Sequence, residues 1–133
     1  MIELLRVYLN CDLNSVDFYG QTLLFYSAKS GMNSLILFMC GHCQADPNIV
    51  DVLLKQTAIF YAASNGKHET VELLASFGAD IDFMDEKGQT PLYWGINNGH
   101  LRVVESLVTK LGCRTNIVDQ KNLSPIDFAS LKK

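Results

Sequence analysis

Two thiols and an imidazole stand together at Cys40-Gly41-His42-Cys43. A C-x-x-C pair can exchange disulfides when one thiol is held as a thiolate. With two further ligands it can hold zinc, and Cys11 in the preceding turn and His42 itself are candidates. Cys113 lies too far along the chain to join them. A reactive thiolate is favoured at a helix N-terminus, where the dipole lowers the thiol pKa. Here the string follows the apolar run Leu35-Ile36-Leu37-Phe38-Met39 and runs into a turn, which places it at a helix C-terminus. A lone C-x-x-C is also only half of what a zinc site displays. The string is read as two half-buried structural thiols, and no metal or cofactor is expected.

The tetrapeptide resembles that of thioredoxin-family disulfide isomerases, but no strand–helix–strand pattern surrounds it here. Other chemistry fares no better. Ser27 and Ser30 lack a strand-to-helix elbow, and no glycine-rich loop is placed to cradle a phosphate. His68 and His100 both fall at the starts of helices, where a structural hydrogen bond is expected of His100. Asp17, Asp51, Asp85 and Asp119 recur at equivalent turn positions, which points to local turn bonding. No catalytic residue is expected.

These residues recur because the chain does. Gly20-Gln21-Thr22-Leu23-Leu24-Phe25-Tyr26 returns as Gln56-Thr57-Ala58-Ile59-Phe60-Tyr61 and as Gly88-Gln89-Thr90-Pro91-Leu92-Tyr93-Trp94, with a worn copy at Asn122-Leu123-Ser124-Pro125-Ile126-Asp127-Phe128. Thr22, Thr57, Thr90 and Ser124 are 35, 33 and 34 residues apart. This period is that of a solenoid whose units touch mainly their neighbours. In each unit the hydroxyl residue is expected to cap a helix, with Pro91 and Pro125 at the first helical position. That helix ends near Gly31, Gly66 or Gly99, and a second follows over Asn33–Met39, His68–Phe77 or Leu101–Leu111. Val71, Leu73 and Leu74, and Val103, Val104 and Leu107, form its inward stripe. Turns at Gln44–Asn48, Gly78–Asp82 and Gly112–Asn116 close the units.

The pattern resembles ankyrin repeats. Asp85, Gly88, Thr90, Pro91, Leu92, Gly99, His100, Val103, Val104, Leu107, Gly112 and Asn116 fall in register with that family's unit. The resemblance implies an all-α ankyrin solenoid with protruding β-hairpin-like turns, forming one domain over residues 1–133. Residues 17–50, 51–84 and 85–118 are full repeats; 1–16 and 119–133 are partial units. Three departures matter. Phe25, Phe60 and Tyr93 replace the family's histidine, so its polar link between units is expected to be missing. Extra residues fall near Cys43, in the turn Val52-Leu53-Leu54-Lys55 and around Lys110. Lys55 stands where Gly20 and Gly88 sit, which predicts a different backbone there. The last unit has no second helix, so a longer chain or another chain is expected to cover Ile126, Phe128 and Leu131.

Bulk properties set the class of partner. Net charge is −3 and the 11 basic residues are scattered, which argues against nucleic acid. No apolar run reaches the ~20 residues of a membrane helix. With no signal peptide and four cysteines read as reduced, an intracellular, cytoplasmic or nuclear protein is expected.

The expected function is non-catalytic recognition of a protein or peptide on the concave face. Tyr26, Tyr61 and Trp94 hold the same place in successive units and form an aromatic row, flanked by Phe18, Tyr19, Leu53 and Glu86 in the turns. Val52, Leu54, Phe83 and Met84 are expected to extend this apolar surface. The alternative is a regulatory or structural module packed against its own neighbouring domains in a larger enzyme, for instance a chromatin methyltransferase. Some ankyrin domains of histone methyltransferases read methylated lysine through a cage, two of whose tryptophans correspond to Tyr61 and Trp94. The third corresponds to Gln21, Gln56 or Gln89 and the acidic wall to Lys29, Ser64 or Asn97, so half of that cage is missing here.

Overall fold

A computed structural model describes Asn14, residues 16–125, and residues 127 and 129. The partial unit at 1–13, with Cys11, and Ile126, Phe128 and Leu131 therefore lie outside the described residues. Among the described residues the bounded helices are, in order, α1 (Leu23–Ser30), α2 (Asn33–His42), α3 (Ala58–Ser64), α4 (His68–Ser76), α5 (Pro91–Asn97) and α6 (Leu101–Glu105). The last continues directly as a π-helix over Ser106–Lys110. The first helices α1, α3 and α5 stack in one row and the second helices in another, as the ~34-residue period requires.

The core lies between the rows. Leu24, Ile36, Ile59, Val71, Leu74, Leu92, Val103 and Leu107 are buried, while Leu73 and Val104 pack on its margin. Small residues let the helices approach: Ala28, Ala62 and Ala63 are fully enclosed, and a Cβ on Gly95 would lie 3.0 Å from Val103 Cγ1. Between units, hairpin-like turns project. The Asp85 N–H donates to the Gln89 carbonyl (2.8 Å), as Asp17 does to Gln21 and Asp51 to Gln56. Successive turns are joined by Val52 N–H to Tyr19 O (2.9 Å), Glu86 N–H to Leu54 O (2.8 Å) and Gln120 N–H to Lys87 O (3.0 Å).

Three sequence expectations are corrected. Thr22, Thr57 and Thr90 occupy the N-cap positions, but their hydroxyls make no cap bond. The N–H each would have capped, on Phe25, Phe60 or Tyr93, is taken by the threonine's own carbonyl at 3.1–3.2 Å. The buried hydroxyl is left without a partner, and the residue serves the stack by its compact shape. Second, a polar link does run forward from Tyr93, whose hydroxyl reaches the Ile117 carbonyl at 2.6 Å and the Leu123 carbonyl. Burial pushes that phenol up to about 12, so it stays a donor. Third, the turn at Lys55 does differ, but through its extra residue, since Asp51 pairs with Gln56 five along where Asp17 and Asp85 pair four along. Lys55 itself keeps the left-handed backbone of its glycine counterparts, with φ of 59° against 75° at Gly20 and 76° at Gly88.

That conformation costs a non-glycine residue roughly 1–2 kcal/mol. Lys55 is exposed, so Lys55→Gly should relieve strain without losing packing. After the extra chain entropy of glycine, the variant should be about 0.5 kcal/mol more stable by urea unfolding. An unchanged or lower midpoint would show that the turn is unstrained.

The extra residues expected near Cys43 and Lys110 are absorbed at helix ends. Ala79 N–H closes on the carbonyl of Leu74, five residues back, whereas Ala45 and Cys113 close on Met39 and Leu107, six back. The π-helix is the visible form of this insertion in the third repeat. Ala45, Ala79 and Cys113 consequently stay equivalently buried, at 6%, 8% and 8% exposure.

Candidate peptide-binding wall

Where the first helices meet the turns, one arrangement repeats down the stack. Asp51 shows it complete. Its Oδ1 accepts from the N–H groups of Leu54 (3.3 Å) and Gln56 (3.0 Å), which fixes the turn. Its Oδ2 accepts from the Tyr61 hydroxyl (2.5 Å) and from the Gln21 amide of the preceding unit (3.1 Å). Asp85 holds Lys87 and Gln89 N–H in the same way, and takes Trp94 Nε1 and the Gln56 amide at 2.9 Å each. Asp17 binds its own turn and the Tyr26 hydroxyl. Asp119 holds Lys121 and Leu123 N–H and the Gln89 amide (3.1 Å). The carboxylates thus do the turn bonding expected of them, and Asp51, Asp85 and Asp119 also tie their turns to the unit before.

The aromatic row is anchored by this ladder. Tyr26, Tyr61 and Trp94 each bind an aspartate through their polar ends, so their rings are fixed along one wall. Tyr26 is exposed, and Tyr61 and Trp94 are half-buried. Phe25 meets Tyr61 edge-on, with centroids 5.6 Å apart and planes at 67°. Cations cover the row: Lys29 Nζ stands 5.4 Å from the Tyr26 ring centre and 5.0 Å from that of Tyr61. Lys87 Nζ stands 5.9 Å from the Trp94 ring. The chain's own ammonium groups therefore sit over the rings where a caged cation would lie.

The turn residues separate into two sets. Phe18 (93% exposed), Tyr19, Val52, Leu53, Met84 and Glu86 face outward, with Phe18 and Tyr19 in edge contact. Phe83 does not belong with them, because it folds onto the core and meets Phe60 edge-on at 6.4 Å. Leu54 is likewise half-buried.

Beside Trp94 the wall opens into a cavity of about 490 Å³ at the junction with the last unit. Gln89, Asn97, Gln120 and Leu123 line it together with Lys87, Lys121 and Asp119. Sequence reasoning passed over the two lysines and Gln120, and weighed Gln89 only as a missing cage residue. The glutamines carried a signal, since one precedes the threonine in all three repeats.

Burial disfavours the charged form of Asp119, but the Leu123 N–H, the Gln89 amide and the Lys121 N–H outweigh it and hold the carboxyl below the usual 3.8. Asp17 is lowered too, first by the Tyr26 hydroxyl. A lowered folded-state pKa gives stability that is complete above the unfolded value and lost as pH falls through the folded one. The melting temperature should hold from neutrality to about pH 4.5 and then drop. In Asp119→Asn the drop should be shallower; an identical slope would remove Asp119 from the account.

The C-x-x-C string lies at the end of α2, with Cys40 half-buried in the last turn and Cys43 at the C-cap. Burial, with a smaller push from Asp46, raises the Cys40 thiol to about 11, far from a thiolate at neutral pH. Among the described residues, no three His, Cys, Asp or Glu side chains are grouped to hold a metal. No helix among them is long and apolar enough to cross a membrane. His100 donates from Nε2 to the Ser64 carbonyl (2.9 Å), the structural bond expected of it.

Two rows of paired helices with projecting turns define a repeat protein built to present a surface. The chain belongs to the ankyrin-repeat family, whose model matches residues 24–119 as three copies. A fowlpox virus protein described as an ankyrin repeat protein is 27% identical over 124 residues, covering 93% of this chain and 20% of its own length. Human Rabankyrin-5 is 36% identical over 74 residues, covering 56% of the chain and 6% of Rabankyrin-5. The Candida albicans glycerophosphocholine phosphodiesterase GDE1 is 32% identical over 103 residues, covering 76% of the chain and 9% of GDE1. The chain thus spans about a fifth or less of these relatives.

Proposed function

We propose that this chain is a non-catalytic recognition module that binds a protein or peptide along the concave wall bearing Tyr26, Tyr61 and Trp94. Ankyrin repeats in general mediate protein–protein interaction. The observation that carries the reading is the ladder: three aromatics are held in line by aspartates, Tyr61 and Trp94 by the buried Asp51 and Asp85 and Tyr26 by the exposed Asp17, so binding has less freedom to freeze. The exposed turn residues Phe18, Tyr19, Leu53 and Glu86 would form the rim of the same surface. Selection of peptides from a random displayed library on the folded chain tests it. Trp94→Ala should weaken selected binders by about 2 kcal/mol, roughly thirtyfold, while the urea midpoint confirms folding. Binders indifferent to both Trp94→Ala and Tyr61→Ala would place recognition elsewhere.

A second reading, a module within a larger multidomain enzyme, is supported by the lengths of the relatives, one of which is named as a phosphodiesterase. In that case the full gene product should bind the selected peptides more weakly than the repeat module alone, because a neighbouring domain occupies the wall.

A further inference from the structure

We infer that the partner segment seated at the Trp94 cavity is acidic, with a carboxylate side chain placed between Lys87 and Lys121 and an apolar or aromatic neighbour laid on the indole. This deepens the recognition function proposed above and rests on it. The cavity, about 490 Å³, is within the range of pockets that hold small ligands and has room for a few side chains. One wall is an indole whose N–H is already spent on Asp85 and over which Lys87 Nζ stands at 5.9 Å. A carboxylate that draws this ammonium aside would leave the ring for an apolar or aromatic contact. The rest is two ammonium groups, the Asp119 carboxylate, Leu123 and the amides of Gln89, Asn97 and Gln120.

Charge decides the occupant. Lys87 and Lys121 are exposed, and neither forms an ion pair among the described residues, where the ion pairs are His68–Glu69 and Lys110–Glu72. The opposing charge in the lining is Asp119, which Lys121 helps to keep ionised. Asp119 is 7% exposed, and its oxygens already take three N–H donors, so it offers an incoming cation little. Glu86 is exposed in the turn and is not part of the lining. Lys29 extends the same sign along the wall over Tyr26 and Tyr61. The acidic residues Glu69, Glu72 and Glu105 lie instead on the second helices, and Asp46, Asp80 and Asp82 in the loops that follow them. The exposed charges lining this cavity are thus the two lysines. The aspartates of the wall are spent on its ladder, and Asp17 and Glu86 lie outside the lining, so this local charge favours an acidic segment here.

Trp94 is the single tryptophan, so its emission reports on the cavity directly. Displayed random peptides are selected on the folded chain. Those recovered are synthesised, together with copies in which every Asp and Glu is changed to Asn and Gln. The expected result is enrichment of acidic residues beside an aromatic or aliphatic one, and a saturable change in Trp94 emission. The neutral copies, or the Lys87→Gln/Lys121→Gln chain, should bind at least about tenfold more weakly, and affinity should fall with salt. Unchanged urea midpoints will show that the lysine variant is folded. Peptides that need Tyr61 and Trp94 but are neutral, or that ignore the lysine changes, would overturn this inference and leave the recognition function standing. Peptides indifferent to the whole wall, or none recovered, would sink both. Tighter, lysine-dependent binding of single-stranded oligothymidylate, which could also stack on Trp94, would replace the acidic peptide with nucleic acid.

Discussion

Replacing Asp51 with alanine is expected to cost about 3–4 kcal/mol of folding free energy, because the carboxylate holds four donors at once in a nearly dry place. Asp51 is 2% exposed, so water cannot take its place. Its loss strands the Leu54 and Gln56 N–H groups and leaves the Gln21 amide and the Tyr61 hydroxyl with only their bond to each other, at 3.0 Å. It also removes the side-chain link to the preceding unit and leaves the Val52 N–H to Tyr19 carbonyl bond to join the two turns, so the damage should cross a unit boundary. Urea unfolding followed by circular dichroism gives the number. Asp51→Asn, which keeps an acceptor and the shape, should lose less. A loss under about 1 kcal/mol for the alanine variant would mean that the ladder is decoration on a stack held by apolar contacts alone.

Phe60→Ala should be comparably harmful, at about 3–5 kcal/mol. Phe60 is 1% exposed on α3, the helix sandwiched between α1 and α5, and it meets Phe83 edge-on with planes at 87°. Truncation opens a cavity in the middle unit, where both neighbours depend on the packing. The unfolding transition should therefore broaden as well as shift, since the flanking units lose their coupling. Phe60→Leu should recover most of the loss. A sharp, unshifted transition in the alanine variant would show that the site collapses around the smaller side chain.

The repeat positions told most of the fold. Thr22, Thr57 and Thr90 located the first helices α1, α3 and α5, because compact residues at a fixed period admit few packings. What they do there was misread: sequence suggests a cap from residue type alone, but the carbonyl of the same residue took the N–H first. Lys55 was misread for a related reason. A glycine in its two counterparts implied that only glycine could adopt that backbone, whereas the bonds from Asp51 to Leu54 and Gln56 hold the turn and carry the strain. The aromatic row was legible as a row, but its anchoring was not. That needed the depth of the aspartates and the reach of the glutamine amides, which join residues 29 or 30 apart in sequence. Lys87 and Lys121 were invisible for the opposite reason: an exposed lysine carries no signature until a cavity forms beside it.

The joints at the ends of the outer helices have a consequence for how such arrays arise. A residue gained after Met39 or Leu107 is taken up locally, and the next alanine or cysteine still finds its seat. Genes encoding arrays of this kind can accumulate small length changes on their outer side while neighbouring modules continue to dock in step. The turns tolerate the same: the residue gained between Val52 and Lys55 leaves Asp51 still paired with Gln56, as Asp85 is with Gln89, so the wall keeps its ladder through such drift.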